Sequence, residues 1–339
     1  MVPALAIAER LTAAGADVVF VGGERAEAEL VPAAGYELRT IRVEGLSRTN
    51  PLLAARAAGL AAGAVLSARR LLAELRPAVV LGGGGYVAGP VGLAALARRL
   101  PLLLTEADSH LGITNRLLAG RARRVCLAFP ISGRVGPRYI VTGRPVPPPA
   151  DDRAAARARF GLNEDETCVL VFGGSLGART INEAAVEAFR ATPFRVLHAA
   201  GTRDYDALLP RVDGDHYDLR PYIDRFGEAL AACDLCVARS GGSLFEIAAA
   251  GKPAVLVPYP HASADHQTSN ARWMEKAGAA VVISDAELTA ARLGQEVGGL
   301  LADRARLAAM AAASAALARP DAAQDVANEV LAAARASRS

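Results

Sequence analysis

The chain has no long uncharged apolar run. Although 52% of its 339 residues are hydrophobic, no window reaches the roughly 18 apolar residues of a membrane-spanning helix. Its opening stretch, MVPALAIAERLTAAG, has no basic lead, and Glu9 and Arg10 interrupt the apolar residues, so it does not read as a secretory signal. Neither sign of charge dominates: 38 Lys and Arg face 35 Asp and Glu, a net charge of +3. No basic stripe interleaved with aromatics occurs, which argues against nucleic acid as a partner. Cysteine is scarce. Cys233 and Cys236 form a C-x-x-C, but with only Cys126 and Cys168 besides, no second pair stands at zinc spacing. Core thiols in a reducing cytosol are favoured over a metal or redox site.

Two nucleotide signatures are also missing. No G-x-x-x-x-G-K-[ST] phosphate loop is found. The segment Phe172-Gly173-Gly174-Ser175-Leu176-Gly177-Ala178 lacks G-x-G-x-x-G spacing, and the following strand does not end in the acidic residue expected about 20 positions on. NTP hydrolysis and hydride transfer are disfavoured.

What is present is an alternation of short apolar runs and alanine-rich helical stretches. The predicted strands are Asp17–Val21, Ala78–Leu81, Leu102–Thr105, Arg124–Ala128, Tyr139–Thr142, Thr167–Phe172, Arg195–Ala199, Leu235–Ala238, Ala254–Pro258 and Ala280–Ile283. Such alternation predicts parallel, doubly wound α/β sheets covered on both faces. The length suits two domains. The proline-rich stretch TGRPVPPPADD, residues 142–152, is stiff and extended. It divides the chain into residues 1–146, a linker at 147–152, residues 153–318, and a final helix at 319–339 that returns to the first domain.

Each half carries a strand–glycine–helix unit: AVVLGGGGYVAGPVGLAALARR in the first and ETCVLVFGGSLGARTINEAAVEAF in the second. A glycine loop opening a helix leaves backbone N–H groups at the positive end of the helix dipole and suits a phosphate. A bare βα turn is the other reading of either loop alone. Ligands of open α/β sheets sit at the carboxyl ends of the strands, so two such domains facing a cleft imply a ligand gripped from both sides. In the second half, Arg239-Ser240-Gly241-Gly242-Ser243 ends a strand and Glu246 stands one turn into a helix. One carboxylate there can accept from both hydroxyls of a ribose. A polar cluster, His261, Asp265, His266, Gln267 and Asn270, follows Pro258-Tyr259-Pro260 on a loop and has the donors and acceptors a sugar needs.

In order along nearly the whole chain, PALAIAERL (3–11), VVLGGGGYVAGP (79–90), FGGSLGARTIN (172–182), PYIDRFGEALAACDLCVARSG (221–241), EIAAAGKPAVLVPYP (246–260) and DHQTSNA (265–271) resemble the MurG family of GT-B glycosyltransferases. The resemblance implies two Rossmann-like doubly wound domains and transfer of N-acetylglucosamine from UDP-N-acetylglucosamine to the membrane-embedded acceptor lipid I, giving lipid II for peptidoglycan. It implies no tightly bound cofactor and no metal. Gly174, Ser175 and Gly177 would face the diphosphate, with Arg239, Gly242, Ser243 and Leu244 lining the same strand end. Ile223 would lie against uracil, Glu246 would hold the ribose, and Gln267, Asn270 and His266 would read the sugar. Gly84, Gly85 and Tyr86 would stand near the acceptor pyrophosphate. Inversion by direct displacement needs a base for the attacking hydroxyl and charge stabilisation on the departing diphosphate.

The family pattern is not matched throughout. Its opening strand and G-G-T-G-G-H loop precede the segment that here begins Met1-Val2-Pro3, so two neighbouring strands are expected to lack a partner between them. TEADSHLGITNR, 105–116, stands where H-E-Q-N-x-x-x-G-x-x-N is usual, which puts Asp108 near the sugar and leaves Asp108 and His110 as candidate bases. T-G-N-P-V-R becomes Thr142-Gly143-Arg144-Pro145-Val146-Pro147, and Arg144 is expected to supply the missing cation to the nucleotide. A GT-B enzyme with another acceptor, or an inactive UDP-sugar-binding paralogue, remains the alternative. The helix predicted at 52–75, with Arg56, Arg69 and Arg70, together with Arg98, Arg99, Arg121, Arg123 and Arg124, fits peripheral binding to an anionic inner leaflet on the cytoplasmic side. A buried core helix is the other reading of that segment.

Overall fold

A computed structural model describes residues 1–24, 26–41, 51–174, 178–262 and 265–337; at residues 26 and 51–62 it describes the backbone alone. The chain divides into two compact units, Met1–Val146 with Arg319–Ser339, and Pro147–Ala318.

The first unit runs α1 (Val2–Ala13), β1 (Val19–Gly22), α2 (Ala26–Ala33), β2 (Glu37–Thr40), α3 (Pro51–Leu75), β3 (Val80–Gly82), α4 (Gly85–Ala97), β4 (Leu102–Glu106), α5 (Ile113–Leu118), β5 (Arg124–Leu127) and β6 (Tyr139–Val141). All its strand pairs are parallel. β3, β4, β5 and β6 form one sheet in that order, and β1 pairs with β2 in a separate ribbon. Side chains alternate across the four-stranded sheet. Val80, Leu102, Leu104, Val125 and Leu127 face a core shared with α3 and α4. Leu103 and Cys126 face the opposite one.

The second unit runs α6 (Arg153–Arg159), β7 (Cys168–Phe172), α7 (Arg179–Ala188), β8 (Arg195–Ala199), α8 (Tyr205–Leu208), β9 (Tyr217–Arg220), α9 (Phe226–Ala232), β10 (Leu235–Ala238), α10 (Leu244–Ala249), β11 (Ala254–Leu256), α11 (His266–Lys276), β12 (Ala280–Val282), α12 (Ala290–Ala302) and α13 (Arg304–Ala316). Its sheet is six-stranded and parallel in the order β12-β11-β10-β7-β8-β9. The central strand β7 is buried at every residue, as a parallel strand covered on both faces must be. Cys168, Leu170 and Phe172 enter one core; Val169 and Val171 enter the other. Side-chain caps start several helices: Asp152 accepts from the Ala155 N–H, Thr289 from that of Arg292 and Asp303 from that of Arg306.

The chain then re-enters the first unit with α14 (Ala322–Arg335). Its Val326, Ala327, Val330 and Ala333 pack with Ile7 and Leu11 of α1 over Leu103 and Cys126. Arg124 Nε bonds Glu329 at 2.9 Å. All four cysteines are buried, and Cys233 and Cys236 stand with their sulfurs 3.7 Å apart in the same core as Cys168.

Two strands have no counterpart in the sequence reading. Glu37–Thr40 is largely exposed, and Tyr217–Arg220 is an edge strand with a charged residue at every second position. Glu37–Thr40 buries no side chain fully, and Tyr217–Arg220 buries only Tyr217 and Leu219, an apolar signal too short to mark a strand.

Candidate active site

In the second unit the candidate residues gather at the carboxyl ends of β7, β10 and β11. Gly174, at φ +99°, follows β7; Ser175 and Gly177 lie outside the described residues. Helix α7 begins two residues later with Arg179 and Thr180. β10 runs into Arg239 and Ser240. Ser243 precedes the first residue of α10, which puts Glu246 in its first turn, half-buried. Gly242 and Ser243 are half-buried beside it. Leu244 and Ile223 are buried in the core beneath, so any approach to a ligand there is through their backbone.

His266, Gln267 and Asn270 stand on the first turns of α11 rather than on a loop. Asp265, at the N-cap of α11, adopts a left-handed conformation, φ 53°, and its carboxylate accepts from the Thr268 hydroxyl at 2.6 Å. Gln267 Oε1 accepts from the Tyr259 N–H at 3.0 Å, and its Nε2 lies against Gly241. Asn270 is turned inward: 1% exposed, it donates to the Ser240 carbonyl at 3.2 Å. Ser240 in turn donates to the Gln267 carbonyl at 2.7 Å. The strand end and the helix that carries Gln267 are thereby one hydrogen-bonded piece.

Arg239 is 8% exposed. Its Nη1 donates to the carbonyls of Val257 and Pro258, each at 3.1 Å, and to Asp285 Oδ1 at 2.5 Å. Its Nη2 donates to Thr180 Oγ at 2.6 Å. The guanidinium also stacks over the Tyr259 ring, 5.4 Å from its centroid. Sequence reasoning placed Arg239 at the site, and neither Thr180 nor Asp285; no spacing links positions so far apart.

Behind α7 lies a polar ladder that the sequence also hid. Asn182 donates from Nδ2 to the Ala200 carbonyl, 2.8 Å, and to Asp204, 3.2 Å, which leaves Oδ1 to accept from His198 Nε2, 3.0 Å. The imidazole proton is therefore on Nε2, and Nδ1 accepts from the Tyr217 hydroxyl at 2.8 Å. Burial pushes the His198 pKa down to about 3, so the ring is neutral. Arg179 closes the ladder on Asp204 at 3.0 Å.

In the first unit the equivalent loop joins β3 to α4. Gly84 caps α4 at φ 80°, ψ −172°, a region closed to side chains, and Gly85 follows at φ 77°. Thr114 donates to the Gly85 carbonyl at 3.1 Å, and Tyr86 is 61% exposed. Asp108 and His110 are half-buried on the loop after β4. Glu106, 7% exposed, organises that loop, accepting from the backbone N–H groups of Ala107, Asp108 and Gly112 and from Asn115 Nδ2. Arg144 is half-buried after β6. Among the described residues, no group of three His, Cys, Asp or Glu is arranged to hold a metal.

Two parallel-sheet α/β units, each with a strand–glycine–helix turn at its strand ends, make a glycosyltransferase of the GT-B fold. Residues 1–127 match the glycosyltransferase family 28 N-terminal domain and residues 168–326 the glycosyltransferase family 28 C-terminal domain. The chain is 42% identical over 355 residues to the UDP-N-acetylglucosamine–N-acetylmuramyl-(pentapeptide) pyrophosphoryl-undecaprenol N-acetylglucosamine transferase of Moorella thermoacetica, covering 97% of this chain and 94% of the relative. The enzyme of the same name from Salinibacter ruber is 43% identical over 348 residues, covering 97% and 92%. The crystal structure of Acinetobacter baumannii MurG matches with a TM-score of 0.80 at 30% identity, over 97% of this chain and 95% of that one. The chain belongs to glycosyltransferase family 28, within its MurG branch.

Proposed function

We propose that the chain transfers N-acetylglucosamine from UDP-N-acetylglucosamine to the 4-hydroxyl of the N-acetylmuramyl group on undecaprenyl-pyrophosphoryl-pentapeptide, with inversion. The observation that carries this is identity above 40% to transferases of that name across 97% of the chain. The second unit is the donor side. Backbone N–H groups at the amino end of α7 take the diphosphate, where the helix dipole stabilises the charge that develops as UDP leaves. Ser175 and Gly177 join Gly174 in that role. Glu246 holds the ribose, the backbone at Ile223 meets uracil, and Gln267 reads the sugar with His266 alongside. Asn270 serves by fixing the Ser240 end of β10. In the first unit, Gly84, Gly85 and Tyr86 receive the acceptor pyrophosphate. Asp108 or His110, on the loop that Glu106 organises, takes the proton of the attacking hydroxyl. Arg144 adds a cation to the nucleotide.

Transfer of labelled N-acetylglucosamine to a lipid I analogue tests the reading directly. Glu246→Gln is expected to weaken UDP binding by about tenfold, the worth of one charge-assisted hydrogen bond. No transfer by the parent, with UDP binding retained, would favour a second reading that the changes at Thr105 and Asp108 already support: a GT-B enzyme with a different acceptor.

The lipid-linked acceptor calls for peripheral contact with the cytoplasmic leaflet. Leu66 of α3 is 56% exposed next to exposed Arg69 and Arg70, and Leu117 of α5 is 71% exposed near exposed Arg116, Arg121 and Arg123. Arg124 is instead paired with Glu329, and the side chain of Arg56 lies outside the described residues. Among the described residues no helix is long and apolar enough to cross a membrane. Sedimentation with vesicles should rise with anionic lipid content; indifference to it would remove the membrane assignment.

A further inference from the structure

We propose that Thr180 and Asp285 are positioning residues for the donor diphosphate, acting with Arg239 as a closed triangle that fixes the amino end of α7. The inference rests on the donor-side reading above. Three hydrogen bonds close the figure: Arg239 Nη1 to Asp285 Oδ1 at 2.5 Å, Arg239 Nη2 to Thr180 Oγ at 2.6 Å, and Thr180 Oγ to Asp285 Oδ1 at 2.7 Å. The corners come from three elements: the end of β10, the second residue of α7, and the turn between β12 and α12. Through its bonds to Val257 and Pro258, Arg239 also holds the segment after β11, whose Tyr259 N–H binds Gln267. One buried cation thus ties the helix end that would meet phosphate to the residue that would meet the sugar.

The guanidinium holds two backbone carbonyls, a carboxylate and a hydroxyl from three separate segments, and shapes the site through them. Its charge is answered by Asp285, which is only 18% exposed at the side chain. Thr180, by contrast, is exposed, and on the first turn of a helix its hydroxyl has no packing duty. The helix dipole acts only over the first turn, and a hydrogen bond weakens steeply as its angle closes. A shift of about 1 Å in a positioned group costs on the order of 100-fold. Loss of the triangle should therefore register on the donor and not on the acceptor.

The experiment compares Thr180→Val, Thr180→Ser and Asp285→Asn with the parent, using calorimetric titration with UDP and steady-state transfer to a lipid I analogue. Thr180→Val keeps the shape and removes the hydroxyl; it is expected to raise the UDP Kd and the donor KM by 10-fold or more, on the order set by such displacements, with the acceptor KM unchanged. Thr180→Ser restores the hydroxyl and is expected to return both to within about twofold of the parent. Asp285→Asn should raise the donor KM in the same way, and combining it with Thr180→Val should add little, because both open the same triangle. A role in general stability alone would lower the melting temperature while leaving donor KM unmoved, and that result overturns the proposal. So does equal weakening of donor and acceptor. If the parent itself does not bind UDP, the donor-side reading fails and this proposal falls with it, a result distinct from normal parental binding with indifferent variants.

Discussion

His198 is neutral because it is 0% exposed and its two nitrogens are already assigned, one giving to Asn182 and one receiving from Tyr217. The pH consequence has a definite sign. The unfolded ring takes up a proton near pH 6.5 and the folded one near pH 3, so the unfolded state binds more protons between these values. Stability from this residue is fully present above about pH 6.5 and is lost as pH falls toward 3, at up to about 1.4 kcal/mol per pH unit. His198→Gln should destabilise the protein at pH 7.5, and the gap to the parent should narrow in melts at pH 6 and pH 5. Parallel curves would show that the ring does not carry the effect. At this scale the sequence displays residue types but not partners. Glu246 and Gln267 could be picked out because they follow strand ends. Glu106, Asp285 and Asn182 could not, since each acts through backbone or side chains supplied by other segments.

Elements were legible where burial is complete. Cys168–Phe172 and Leu235–Ala238 read as strands because every side chain in them is apolar and buried. Glu37–Thr40 and Tyr217–Arg220 did not, because their pairing is a matter of backbone hydrogen bonds on a sheet edge or ribbon. The polar start of α11 read as a loop because His266, Gln267 and Thr268 carry no apolar period; the helix is held by Ala271 and Met274 farther along. Gly143 belongs at this scale too. It sits at φ +81° directly against Arg319, and a Cβ there would stand 2.5 Å from the Arg319 Cβ. Both the backbone strain and the clash oppose a side chain. Gly143→Ala should cost about 1–3 kcal/mol, read as a lowered urea midpoint, and a shift below about 0.5 kcal/mol would mean that the segment relaxes freely.

For the molecule as a whole, the alternation of strands and helices and the GT-B class were readable from pattern and resemblance alone. The first unit's division into a four-stranded sheet and a two-stranded ribbon agrees with the expectation of two strands lacking a partner between them; which strands those are is decided by hydrogen-bond partners far apart in the chain. The closing helix carries a further implication. Because α14 covers Leu103, Cys126, Ile7 and Leu11, the unit synthesised before residues 147–318 is completed by residues synthesised after them. Residues 147–318 have their own sheet and both of their cores in hand while the opening segment still waits for its cover. Nascent chains arrested just after Ala318 emerges should thus yield a protease-resistant carboxyl-terminal fragment and a readily digested amino-terminal one, reversing the order in which domains usually mature during synthesis.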